Sequence, residues 1–243
     1  MKKIDKGLGI WQIINSEIIT DIIASSGFDF TILDLEHGLH DPQTVQNCLF
    51  SAKKSGINLI ARIPSLAYPY VVQLIDTGID GIIFPHIETE RQLKEAINLT
   101  YMPPIGGKSF SPFVPRFEYG KRKSSAKTNP MLGILIESEK GLRNSQSLLS
   151  NPLVDFVYFG AYDLSVEIGD PGNIFSNEIF DKLVLLTQYA ISNNKKIMSL
   201  YRNDIELKQL LNIGIHYPIA SVDTLNLKLR LNQLVESYKN LIN

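Results

Sequence analysis

Short apolar runs alternate along this chain with longer stretches whose apolar residues recur at helical spacing. The runs are Gly7 to Trp11, Phe30 to Leu35, Asn58 to Ile63, Gly81 to Pro85, Leu132 to Glu137, Phe156 to Phe159, Lys196 to Leu200 and Tyr217 to Ala220. Most are rich in Ile, Val, Leu or Phe, as strands buried on both faces should be. Between them the spacing predicts helices over Ser16 to Ser25, with Asn15 as N-cap, and over Pro42 to Lys54 behind Asp41. The second has a first-turn proline and a C-terminal stop at Gly56. Further helices are predicted over Thr89 to Leu99, from near Lys140, over Phe175 to Ser192, Asp204 to Leu211 and Asp223 to Leu241. Strands alternating with helices in this way predict an α/β fold, a single (β/α)8 TIM-barrel domain over 1–243. A doubly wound sheet usually carries a glycine-rich first βα turn, and WQIINSE has none.

One connection, 101–130, is long and proline-rich, then turns polar and basic. Loops of this length are usually functional or disordered, and a solvated surface excursion is the plain alternative. It is expected to leave the fourth strand and cover the active-site face, where Lys108, Arg116, Lys121, Arg122 and Lys123 offer positive charge.

Charge narrows the partners. Lys and Arg total 24 and Asp and Glu 25, a net charge of −1, so the footprint of a nucleic-acid or polybasic membrane-surface protein is absent. Cys48 is the only cysteine, which excludes an internal disulfide and fits a reducing compartment. No stretch is long and apolar enough to span a membrane, and Asp5, Lys6 and Gln12 interrupt the opening segment. A cytoplasmic protein acting on small molecules is expected.

In a barrel the chemistry collects where strands end. The second strand ends in DLEHG, giving Asp34, Glu36 and His37; the third ends at Arg62; the fourth at His86; the fifth at Glu137; the sixth runs to Asp163 and the eighth to Asp223. Each alone has a structural reading. Asp34, Glu36 and Arg62 suit ion pairs, Glu137 and Asp163 suit helix caps, and His37, His216 and Cys48 suit packing. His40 is expected in solvent, and no role is assigned to His86. Gathered at one opening, they suit catalysis. Glu137 and Asp163 suit a hard divalent cation. His37 suits a general base oriented by Asp34, and Arg62 suits stabilisation of an oxyanion.

At these residues the chain resembles the HpcH/HpaI aldolase family of metal-dependent class II pyruvate aldolases. The likeness lies in DLEHG at 34–38, ARIP ending at 64, YMPPIGGKS at 101–109, LIES around Glu137, and VDFVYFGAYDLSVEIGDPGN at 154–173. It implies a lyase cleaving a 4-hydroxy-2-oxo acid to pyruvate and an aldehyde with Mg2+, Mn2+ or Co2+. By that likeness Glu137 and Asp163 bind the metal and His37 moves the proton beside Asp34. Arg62 binds the keto oxygen, N–H groups near Tyr162 and Asp163 take the carboxylate, Glu36 orders metal-bound water, and Lys108 falls among substrate contacts. It also implies a homo-oligomer, a hexamer exchanging the 223–243 helix. Three positions depart from the family pattern: Leu135 replaces a glutamine, Lys108-Ser109 replaces Arg-Gly, and bulky Tyr162 stands beside the carboxylate pocket. Alternatives are an enzyme acting on a phosphoenolpyruvate or CoA-linked substrate, and a ketoacid-binding barrel without turnover.

Overall fold

A computed structural model describes residues 6–123 and 129–242. Residues 1–5, 124–128 and 243, which enter the readings of the first segment, the long connection and the last helix, lie outside the described residues. Each apolar run overlaps a strand: β1 Gly9–Gln12, β2 Phe30–Asp34, β3 Asn58–Arg62, β4 Gly81–Phe84, β5 Met131–Ile136, β6 Phe156–Phe159, β7 Lys196–Tyr201 and β8 Tyr217–Val222. Each strand pairs in parallel with its neighbours in sequence, and β8 pairs with β1 to close a barrel.

Side chains along a strand alternate between faces. One set, including Trp11, Phe30, Ile32, Ile60, Leu135, Phe156, Tyr158 and Ile219, fills the barrel interior. Gly133 makes room for it: a Cβ there would sit 2.2 Å from the Phe156 ring. The other set packs under the helices, with Leu33, Leu59, Ile82, Ile134 and Val157 fully buried.

The helices are α1 Glu17–Ser25, α2 Pro42–Ser55, α3 Val71–Thr77, α4 Glu90–Thr100, α5 Glu139–Ser150, α6 Ala161–Glu167, α7 Asn177–Ser192, α8 Asp204–Asn212 and α9 Asp223–Ile242. Asp41 and Thr44 form the capping box of α2, and Gly56 closes that helix at φ 79°. Ser16, not Asn15, caps α1; Asn15 instead donates from its side-chain amide to the Leu39 carbonyl at 2.7 Å. Ser138 caps α5, which leaves the Glu137 carboxylate for the site. Asp163 lies inside the first turn of α6.

The long connection lies elsewhere than expected. It follows α4, not β4, so it runs to the start of β5 at the barrel end opposite the strand C-termini. Arg116 donates to the carbonyls of Ile75 and Ile79, at the end of α3 and before β4. Lys108 is buried in an ion pair with Asp76 at 2.7 Å. An αβ connection starts at a helix C-terminus, and that geometry sets the face it occupies. Lys108 and Arg116 are therefore at the wrong end for a phosphate at the barrel mouth.

The last helix leaves the barrel. Among its described residues only Asp223 is buried, while Leu225, Leu227, Leu229, Leu231, Leu234, Val235 and Leu241 are exposed.

Candidate active site

The inward set of each strand continues upward into polar residues. Phe30 and Ile32 lead to Asp34, Ile60 to Arg62, and Leu135 to Glu137, each two residues further along the inward face. The barrel therefore delivers these buried ionisable groups to one place. They line a cavity of about 280 Å³ together with Trp11, His37, Leu135, Tyr158, Gly160, Tyr162 and Asp163.

Asp34 and Arg62 form a two-pronged pair, Nε to Oδ1 at 3.0 Å and Nη2 to Oδ2 at 2.6 Å. Arg62 Nη1 also lies 3.1 Å from Glu36 Oε2. Below it the guanidinium covers the Trp11 ring at 4.7 Å. Such a forked pair fixes the plane and direction of the guanidinium. Burial and the Arg62–Asp34 pair act in opposition, and the Arg62 pKa is raised overall.

His37 is exposed at the cavity edge. Its main-chain N–H donates to Asp34 Oδ1 at 3.2 Å, and so does that of Glu36 at 3.0 Å. Asp34 therefore shapes the turn that carries His37, while its carboxylate is occupied by Arg62. The expected contact between Asp34 and the imidazole is not formed, because both carboxylate oxygens point to the guanidinium.

Glu137 is buried, and its carboxyl pKa is pushed up to about 8. Burial is the main cause; the negative charges of Asp163 and Glu36 add to it, and the His86 N–H and Arg62 oppose it. Gly160 is packed against this side chain: a Cβ there would lie 2.4 Å from Glu137 Cβ.

His86, to which the sequence assigns no role, joins this group. Its backbone is in the left-handed region at φ 53°, uncommon for a residue with a side chain. That turn brings both its main-chain N–H and ring Nδ1 to 2.8 Å from Glu137 Oε1. Its Nε2 lies 3.7 Å from Glu36 Oε1. Position at the end of β4 was the available signal. His40, expected in solvent, is buried, with Nε2 3.2 Å from the Gln12 carbonyl. Lys108 does not line the cavity, being held by Asp76 near the other end of the barrel.

Three carboxylates, Glu36, Glu137 and Asp163, thus converge around one opening, with Arg62 as the close cation. That excess of oxygen donors and negative charge fits a divalent cation completed by water or substrate oxygens. Among the described residues no three His, Cys, Asp or Glu side chains are grouped so that they could hold a metal ion by themselves.

A closed parallel barrel with ionisable residues at its strand C-termini is a frame in which enzymes build their active sites. The chain matches the HpcH/HpaI aldolase/citrate lyase family over residues 8–217, and it belongs to that family of enzymes. It is 26% identical over 220 residues to a hydroxypyruvate/pyruvate aldolase from Roseobacter denitrificans, covering 88% of this chain and 86% of that one. Its fold superposes with a TM-score of 0.91 on an HpcH/HpaI aldolase/citrate lyase family protein from Burkholderia cenocepacia, at 20% identity, covering 98% and 96% of the two chains. More distantly, at 12% identity and a TM-score of 0.57, it resembles the protein CitE from Mycobacterium tuberculosis, solved in complex with magnesium and pyruvate, over 89% and 85% of the chains. No helix among the described residues is long and apolar enough to cross a membrane.

Proposed function

We propose that this protein is a cytoplasmic, divalent-metal-dependent aldolase that cleaves a 4-hydroxy-2-oxo acid to pyruvate and an aldehyde, reversibly. The observation that carries this reading is an Arg62 held rigidly by Asp34 and Glu36 in a cavity that Glu137 and Asp163 also line. Glu137 and Asp163 would hold Mg2+, Mn2+ or Co2+, with Glu36 ordering water beside it. When bound, the cation supplies Lewis-acid polarisation of the oxo acid.

The chain's own residues do the rest. Arg62 faces the keto oxygen, and Asp34 and Glu36 hold its direction, so stabilisation of the developing enolate needs little reorganisation. The N–H groups at the start of α6, near Tyr162 and Asp163, receive the substrate carboxylate. His37, at the rim, takes the 4-hydroxyl proton directly or through water. The C3–C4 bond then breaks, its electron pair passes into the enolate, and C3 is protonated to give pyruvate. Among the inward residues at the strand ends that line the cavity none is a lysine, so a Schiff-base route has no candidate there.

The test needs no knowledge of the aldehyde. Pyruvate in D2O with Mg2+, Mn2+ or Co2+ should lose its methyl-proton NMR signal in the presence of the protein. His37→Ala and Glu137→Ala should each abolish that exchange. Absence of exchange above the metal control would refute the pyruvate reading. Leu135, which puts an apolar side chain beside Glu137, favours a second reading, a ketoacid-binding barrel without turnover; metal and pyruvate binding without exchange would select it.

The same family likeness carries a proposal of assembly. The apolar residues of α9 are exposed, and a cavity of about 540 Å³ bordered by Ile14, Ile19, Ile22, Phe28 and Leu227 lies at its root. A second copy exchanging this helix would bury both, in a homo-oligomer of up to six chains. Light scattering of the full chain should give a mass above the monomer.

A further inference from the structure

The floor of the active-site cavity is chemically divided. Leu135 on β5 and Tyr158 on β6 are register partners, both face inward, and both line the cavity. One offers only methyl groups and the other a phenol.

The phenol is wired in a particular way. Trp11 Nε1 donates to Tyr158 Oη at 2.7 Å, and the two rings meet edge to face with centroids 5.2 Å apart. An indole has no acceptor, so it cannot receive the phenol's hydrogen in return. Among the described residues no other hydrogen bond is made to Tyr158 Oη. The phenol is buried, and burial raises its pKa, so it keeps its proton. Tyr158, which lines the cavity, therefore carries an O–H that already accepts from Trp11 and whose own hydrogen has no partner among the described residues. Its direction is fixed at second hand: Trp11 is pressed under Arg62, and Arg62 is clamped by Asp34. Removing any plate of that stack would release the next.

We infer that Tyr158 donates a hydrogen bond to an oxygen of the bound oxo acid and that, with Leu135 beside it, it sets the orientation in which a small 2-oxo acid is accepted. Leu135 takes the carbon side of the ligand and Tyr158 the oxygen side. Trp11 acts as a positioning residue through the phenol. This assignment rests on the oxo-acid reading of the cavity.

Trp11 is the only tryptophan of the chain, so its fluorescence reports on this cavity. Oxalate and pyruvate, each with Mg2+, are titrated against the full-length protein and against Tyr158→Phe, with calorimetry alongside. The unmodified protein should show a saturable change, and Tyr158→Phe should weaken binding about three- to tenfold, the value of one hydrogen bond. In the unmodified protein the single indole N–H signal in a 1H–15N spectrum should shift on oxalate binding, because a phenol that donates becomes a stronger acceptor. This second measurement decides the matter if Tyr158→Phe does not fold. Equal affinity in the two proteins, or an indole signal unmoved at saturation, overturns the role of Tyr158 and leaves the oxo-acid reading standing. No binding by either method in the unmodified protein overturns both.

Discussion

Replacing Asp34 by asparagine removes one charge from a buried pair and leaves shape and volume almost unchanged. Asp34 is 3% exposed and accepts from Arg62 Nε and Nη2 and from two main-chain N–H groups. Asparagine keeps one acceptor oxygen, but its amide turns two donors toward a guanidinium that is all donors. Breaking a buried pair in this way costs about 3–5 kcal/mol. Glu36 still holds Arg62 Nη1 at 3.1 Å, so the lower end, about 3 kcal/mol, is expected. In a domain of this size that lowers the thermal midpoint by about 6–12 °C. The assay is thermal unfolding by circular dichroism at fixed protein concentration, paired with pyruvate proton exchange. Exchange should fall about a hundredfold, since a guanidinium displaced by about 1 Å no longer meets the keto oxygen. The double replacement Asp34→Leu with Arg62→Met should recover most of the stability and none of the exchange, because apolar residues replace buried pairs with little loss. A midpoint for Asp34→Asn within about 2 °C of the parent, under 1 kcal/mol by the same scale, would refute the account of the pair.

Gly160→Ala should lower Mn2+ affinity at least about tenfold by calorimetry and destabilise the fold by about 1–3 kcal/mol, because the new Cβ meets Glu137 Cβ, whose position no rotamer changes. Lys108→Met should lower the thermal midpoint by breaking a buried pair, while exchange per folded molecule stays unchanged; lost exchange in a folded variant would return Lys108 to the site. Burial keeps the His40 pKa below 6.5, so the unfolded chain binds the extra proton. Stability from this group is full above pH 6.5 and falls as pH drops through 6.5 toward the folded value. His40→Gln should flatten that fall in denaturant midpoints measured from pH 7.5 to 5, and an unaltered slope would exclude His40 as its source.

The strands were readable because burial on both faces leaves a run that is apolar throughout, and the carboxylates and Arg62 at their ends broke that pattern visibly. Glu137, Arg62 and Asp34 are inward residues by simple parity from Leu135, Ile60 and Ile32. What escaped reading depends on backbone angles and on partners distant in sequence. His86 reaches Glu137 only because its φ is positive, and residue type does not announce that. Lys108 pairs with Asp76 in α3, a helix of seven residues, too short to show a periodic face. The placement of 101–130 was the avoidable error: the helix predicted over Thr89 to Leu99 already put that connection after a helix, hence at the opposite end of the barrel. Asp34 illustrates a subtler limit, since spacing brings His37 near it but only geometry tells that Arg62 takes both oxygens.

The closure of β8 on β1 also bears on how the chain can be ordered in time. The bond from Thr31 to the Ile10 carbonyl, between β1 and β2, spans 21 residues, whereas that from Ile13 to Asp223 spans 210. A tenfold longer loop costs only about 2 kcal/mol more in chain entropy. At that junction the Asp223 carboxylate accepts from the N–H groups of Ile13 and Ile14, both at 3.0 Å. Bonds of this charge-assisted kind contribute roughly 1.5–3 kcal/mol each, enough to offset the longer loop. The β8–β1 seam has only two register pairs, Gly9 with Ile219 and Trp11 with Val222, with an irregularity between them, so the Asp223 carboxylate works as a clasp where the strand ladder is thinnest.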